Sequence, residues 1–218
     1  GGPRHPMAER FRGYLPVVID VETGGFNSST DALLEIAAVT IGMDEKGFVF
    51  PEHTYFHRVE PFEGANIEPA ALEFTGIKLD HPLRMAVSEE SALTDIFRGI
   101  RKALKANGCK RAILVGHNSS FDLGFLNAEL NLLGRVPVET VCNGVTDTLR
   151  MAKDLHPGKR NNLDALCERY EIDNSGRTLH GALLDTELLA EVYLAMTRGQ
   201  ETLMIEPEAP RPQLAADG

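Results

Sequence analysis

No apolar run in the 218 residues approaches the ~18 that a membrane-crossing helix needs, so neither a transmembrane span nor a membrane partner is expected. Cysteine is scarce. Cys109, Cys142 and Cys167 are odd in number, far apart and without a C-x-x-C pair. That excludes a disulfide framework and a cysteine zinc site, and points to a reducing compartment, the cytoplasm. The opening Gly1-Gly2-Pro3-Arg4-His5-Pro6 lacks an apolar signal core, and residues 1–9 are expected to form a disordered leader. No internal repeat is present. Basic residues are in deficit, 22 Lys and Arg against 32 Asp and Glu, for a net charge of −10. That sign argues only weakly against a nucleic-acid partner, because a metal site built of carboxylates adds acidic charge of its own.

What remains is ordinary for a soluble globular protein, with 43% hydrophobic and 25% charged residues. The length suits one domain, expected over residues 10–199. Beyond it, Glu206-Pro207-Glu208-Ala209-Pro210-Arg211-Pro212 is charged and Pro-rich, so residues 200–218 are expected to be a disordered tail.

One stretch organises the rest. In Val17-Val18-Ile19-Asp20-Val21-Glu22-Thr23-Gly24-Gly25-Phe26, an apolar, β-prone run carries two carboxylates two residues apart, and Gly-Gly ends it. Residues two apart on a strand point to one face. Two like charges side by side in a buried strand are costly unless neutralised, and a hard divalent cation with oxygen ligands is the simplest neutraliser. The plain alternative is a strand end with solvated acids.

Strands are expected over 16–22, 33–41 and 55–59, the last two suggesting an antiparallel meander. A short helix spans 68–74. Ser88 caps a longer one whose apolar stripe is Leu93, Ile96, Phe97, Ile100 and Leu104, stopped by Asn107-Gly108. Its other face bears Arg98, Arg101, Lys102 and Lys105, with Lys110 and Arg111 following. This is either a solvated face or a phosphate-contacting patch. A buried strand at 112–115 leads into a helix from about Phe121 to Gly134. Further helices are expected over 147–155, 162–170 and 181–196. Strands first, then alternating elements, then helices imply an α/β fold with a mixed sheet flanked by helices.

Two more acids join the first pair. Asp122 opens a helix behind a buried strand, and Asp185 opens the core-facing stripe Leu189, Val192, Met196. Alone, Asp122 can be a cap residue, and Asp185 can be salt-bridged to a Lys or Arg. Together, four carboxylates suit two Mg²⁺ ions, with Mn²⁺ as a substitute. Such a pair can activate water and stabilise a leaving 3′ oxygen in attack on phosphate. His180, on the loop before the last helix, has the ordinary pKa of a general base at neutral pH.

Asp20-x-Glu22, Asp122 and His180-x4-Asp185 resemble the DEDDh family of 3′-to-5′ exonucleases, which implies an RNase H-like fold. The resemblance implies metal binding by Asp20, Glu22, Asp122 and Asp185, with His180 as base. It also divides. Residues 4–126, including Arg10-Phe11-Arg12-Gly13-Tyr14 and Val59-Glu60-Pro61-Phe62, look like ribonuclease T. Residues 127–205, including Pro157-Gly158-Lys159-Arg160-Asn161-Asn162 and Thr178-Leu179-His180-Gly181, look like the epsilon proofreading subunit of DNA polymerase III, so the chain reads as a hybrid.

The first half implies nucleic-acid binding by Arg10, Arg12, Lys105 and Arg111 and base stacking by Phe26, Phe74 and Phe121, though core packing would equally explain the last two. It further implies a homodimer in which one subunit's basic patch serves its partner's active site. Asn143 stands where a further stacking Phe is expected. The second half implies proofreading of single-stranded DNA, and Gln200-Glu201-Thr202-Leu203-Met204-Ile205 loosely resembles a sliding-clamp-binding peptide. The expectation is thus a metal-dependent 3′-to-5′ exonuclease for single-stranded RNA or DNA 3′ ends, serving RNA trimming or DNA proofreading. The alternative is a catalytically impaired single-strand-binding accessory subunit.

Overall fold

The computed structural model describes residues 5–132 and 142–205. Five strands form one sheet in the order β3-β2-β1-β4-β5, where β1 is Tyr14–Thr23, β2 Leu33–Met43, β3 Val49–Arg58, β4 Arg111–Gly116 and β5 Cys142–Asp147. β1, β2 and β3 pair antiparallel, while β4 pairs parallel to β1 and β5 parallel to β4. The meander and the mixed sheet are as the sequence implies.

Helices cover the sheet: α1 (Pro6–Arg10), α2 (Pro69–Thr75), α3 (Glu89–Ala106), α4 (Ser119–Leu132), α5 (Thr148–Leu155), α6 (Leu163–Arg169) and α7 (Ala182–Ile205). The Ser88 cap forms, its Oγ accepting from Ser91 N at 3.1 Å. Every residue of the expected α3 stripe is buried, while Arg98, Arg101, Lys102 and Lys105 are exposed. β2 is buried almost throughout because helices pack on both of its faces.

Three boundaries differ from expectation. The leader is not disordered throughout: Pro6 starts α1, whose first turn is capped by His5 Nδ1 accepting from Met7 N at 3.1 Å. Met7 is fully buried in the core, which supplies the burial that holds the segment down. At the other end, residues 200–205 are the last turns of α7 rather than a disordered tail. Gly199 weakens a helix without stopping it, and the first Pro comes only at 207. The candidate clamp peptide therefore lies on a helix. Residues 206–218, and the end of the expected 121–134 helix, lie outside the described residues. β5 is the element the sequence reading lacks. Cys142-Asn143-Gly144-Val145-Thr146-Asp147 has no apolar alternation, and its pairing with β4 makes it a strand.

Candidate active site

β1 delivers Asp20 and Glu22 to one face near its C-terminal end, and a register shift follows directly between Glu22 and Thr23. Such irregularities re-aim side chains beside functional sites. The strand ends where space is short: a Cβ on Gly25 would lie 2.1 Å from Asp31 Oδ2, and one on Gly24 would lie 2.8 Å from Asn66 O. Asp31 accepts from Asn27 N and Asn66 Nδ2, each at 2.9 Å, fixing the loop that carries Phe26. Asp185 arrives from the first turn of α7, and one oxygen each of Asp20, Glu22 and Asp185 lie within 4.8 Å of one another. Asp122, in the first turn of α4, lies behind this trio. It is 3% exposed, and its Oδ1 accepts from Val21 N at 3.2 Å, so it braces the strand between the two β1 acids.

The electrostatics follow from crowding. Burial, then the charges of Asp122, Glu22 and Asp185, push the Asp20 carboxyl well above its usual range. Burial and the neighbouring Asp185 push Glu22 up to about 8. Burial likewise raises Asp122. Asp20 Oδ2 is shielded from solvent and has no hydrogen-bond partner among the described residues. An orphaned buried carboxylate oxygen beside two more carboxylates, with no nitrogen or sulfur donor in the trio, is the donor set of a hard divalent cation. The site fits such an ion.

His180 stacks face to face on Phe74, ring centroids 3.8 Å apart, and its Nδ1 lies 3.7 Å from Asp185 Oδ2. Burial and the Arg177 charge lower its pKa, so the ring is neutral at pH 7. Asp20, Glu22, Asp185, His180, Phe26 and Phe74 all line one open cavity of about 780 Å³, and Phe121 joins them. Phe26 is 93% exposed and Phe74 57%, so neither is a core residue; Phe121 packs edge-on to Phe26 at 6.1 Å.

The basic residues are elsewhere. Arg111 pairs with Tyr14 at the start of the β1–β4 ladder. At ~3.3 Å per residue, Asp20 lies about 20 Å further along β1. Arg12 and Lys105 are exposed, and none of Arg10, Arg12, Lys105 and Arg111 lines the cavity. The side chain of Asn143 lies outside the described ones.

Sequence reasoning missed two residues of the site. Glu35 sits opposite Glu22 in the β1–β2 register, and its Oε1 accepts from Ala182 N at 3.1 Å, tying down the start of α7. Arg177 donates to Asp185 from Nε at 2.7 Å and from Nη2 at 3.2 Å. The open possibility that Asp185 is salt-bridged is therefore realised within the acidic cluster itself. An Arg three residues before His180 was the available signal.

A model of the exonuclease family matches residues 17–193, which contain every one of these acids and the histidine. The chain belongs to the exonuclease family. The matched span holds the carboxylate trio whose donor set fits a divalent cation. Its RNase H-like fold is shared with E. coli Exonuclease I in complex with a dT13 oligonucleotide, at TM-score 0.66 and 17% identity over 93% of this chain and 46% of that one. A moderately thermophilic Exonuclease I from Methylocaldum szegediense gives TM-score 0.66 and 18% identity over 86% of this chain and 41% of that one. Exonuclease X in complex with 5′ overhanging duplex DNA gives TM-score 0.57 and 20% identity over 85% of this chain and 93% of that one. This exonuclease-family chain thus spans less than half the length of the Exonuclease I chains it resembles. No helix among its described residues is long and apolar enough to cross a membrane, and its three cysteines are buried thiols outside any disulfide among the described residues.

Proposed function

We propose that the protein is a two-metal 3′-to-5′ exonuclease that removes nucleotides from single-stranded 3′ ends of RNA and DNA. The convergence of Asp20, Glu22 and Asp185 beneath His180, in a cavity walled by exposed phenylalanines, carries this reading. Asp20, Glu22, Asp122 and Asp185 would hold Mg²⁺, with Mn²⁺ as a substitute. When bound, such ions supply Lewis-acid activation of water and charge stabilisation at the leaving 3′ oxygen. The chain supplies the rest. Neutral His180 accepts the proton of the attacking water, as its lowered pKa allows. Phe26 and Phe74 offer π-faces to the terminal bases, a contact that tolerates any sequence. Both RNA and DNA are proposed because stacking and metal-assisted attack on phosphate use groups that the two share. The ribonuclease T-like half would supply the basic patch, working across a homodimer, and the epsilon-like half the histidine and the last acid.

Parallel digestion of 3′-labelled and 5′-labelled single strands of RNA and DNA of one sequence, with Mg²⁺, tests the proposal. Released labelled mononucleotide from the 3′-labelled strand is expected, abolished in Asp185→Ala and Asp122→Ala. Release of the 5′ label as mononucleotide, or full activity in Asp185→Ala, would overturn it. Binding of single strands without hydrolysis at any Mg²⁺ or Mn²⁺ concentration would instead identify an impaired accessory subunit.

A further inference from the structure

Arg177 is only 10% exposed, and four of its five N–H donors are engaged. Besides the two bonds to Asp185, Nη2 lies 2.8 Å from His180 Nδ1, and Nη1 donates to Asp164 Oδ2 at 2.8 Å. Asp164, on α6, is held in turn by Asn174 Nδ2 at 2.8 Å. The fork therefore neutralises Asp185, one of the three carboxylates placed for a cation, while Asp20 Oδ2 in the same cluster has no hydrogen-bond partner among the described residues. A guanidinium has donors only. Its bond to Nδ1 therefore requires that nitrogen to accept, and a neutral His180 then carries its proton on Nε2. In that state the ring has no free lone pair for a second proton.

We infer that Arg177 is a placeholder cation and a positioning residue. It fixes Asp185 and His180 while the carboxylate site holds no metal, and yields part of Asp185 and the Nδ1 of His180 when a divalent cation enters. The inference rests on the metal-site reading above. Its physical basis is competition. Leaving a buried Asp185 unpaired is costly, so the fork stabilises the metal-free protein. A second cation on the same carboxylate meets the first as a like charge. Arg177 therefore makes metal binding weaker than the carboxylates alone would allow, and keeps the base idle until the metal is present. Were Arg177 merely a clamp between α6 and α7, its removal would loosen Asp185 and weaken metal binding. The two roles predict opposite signs.

Titration calorimetry with Mn²⁺ alone, without nucleic acid, separates them in wild type, Arg177→Met and Arg177→Lys. Arg177→Met is expected to bind Mn²⁺ about tenfold tighter or more, to melt earlier without metal, and to show a larger metal-induced rise in Tm. Arg177→Lys, which keeps the charge but loses the fork, is expected to fall between. In the metal-free wild type, long-range ¹H–¹⁵N spectra should show His180 as the Nε2–H tautomer, a bias that Arg177→Met loses. Equal or weaker Mn²⁺ binding in the variants overturns the placeholder role. If Arg177→Met does not fold without metal, the sign of the change in Arg177→Lys decides. If wild type binds no Mn²⁺, the metal-site reading fails and the placeholder falls with it; if wild type binds and the variants do not tighten, only the placeholder falls.

Discussion

Glu22 and Glu35 face each other across the β1–β2 ladder, both buried, at the edge of the acidic cluster. Burial raises both carboxyls; the charges of Asp185 and Glu35 raise Glu22 further, while the Ala182 N–H and the charges of Arg58 and Arg84 hold Glu35 partly down. Among the described residues, Glu35 alone of the two has a backbone donor, Ala182 N, at the start of the helix that bears Asp185. Glu35→Gln keeps the acceptor and removes a like charge, so stability at pH 7 should be unchanged or higher. Glu35→Ala orphans Ala182 N and should cost about 1–2 kcal/mol, with a lower nuclease rate because Asp185 loses its anchor. Melting and rates of the two variants together check this; equal behaviour would refute the anchoring role.

The cluster also sets a pH dependence. Asp20, Glu22 and Asp122 have folded pKa values above their unfolded ones, so the folded state binds more protons than the unfolded. Without metal, stability should be full below the ordinary carboxyl range and fall as pH rises from there through about 8, where Glu22 titrates. A divalent cation replaces those protons, so Mg²⁺ should flatten the curve. Tm measured from pH 4 to 9 with and without Mg²⁺ reads both. A metal-free Tm that rises over this window would contradict the assignment.

A second buried acid lies away from the site. Glu129 on α4 is fully buried, and burial together with the Glu89 carboxyl beside it pushes its pKa up to about 9. The same sign applies: the ionised form destabilises from the unfolded pKa upward, through about 9. Glu129→Gln should therefore stabilise at pH 7 by about 2 kcal/mol, or roughly 4–8 °C in Tm. The gain should vanish near pH 4. A destabilised Glu129→Gln at neutral pH would show that the carboxylate has a cationic partner.

The phenylalanines should separate binding from chemistry. Phe26 is 93% exposed, so Phe26→Ala should leave Tm unchanged while raising KM for single strands, at ~1–3 kcal/mol per lost base stack. Phe74 also stacks on His180, so Phe74→Ala should lower kcat as well. Steady-state kinetics on one oligonucleotide compares the two, and a purely kcat effect of Phe26→Ala would count against stacking.

Because Arg111 sits at the far end of the β1–β4 ladder from Asp20, the basic residues should serve an active site in another copy. Mixing an Asp20→Ala protein with a Lys105→Ala/Arg111→Ala protein, each nearly inactive, should restore part of the activity. No recovery at any mixing ratio would show that the patch acts within its own chain or not at all.

The elements read correctly were those whose signal is local. β1 and β2 announce themselves by β-branched runs, and α3 by its stripe from Leu93 to Leu104 and its Ser88 cap. β5 and α1 do not, because their order comes from what they pair with or bury against: Cys142 to Asp147 on β4, and Met7 in the core.

The same division runs through the site. The sequence by itself determined that Asp20 and Glu22 share a face, because two residues on a strand differ by one full pleat period, and that Asp185 lies on a face too apolar for an idle charge. Only the tertiary structure decided what answers those charges. It set Glu35 against Glu22 through the β1–β2 register, placed Asp122 behind the strand, and brought Arg177 from a loop onto Asp185 and His180. Neutralisation falls off with distance through space, and for residues joined by loops the spacing along the chain does not fix that distance.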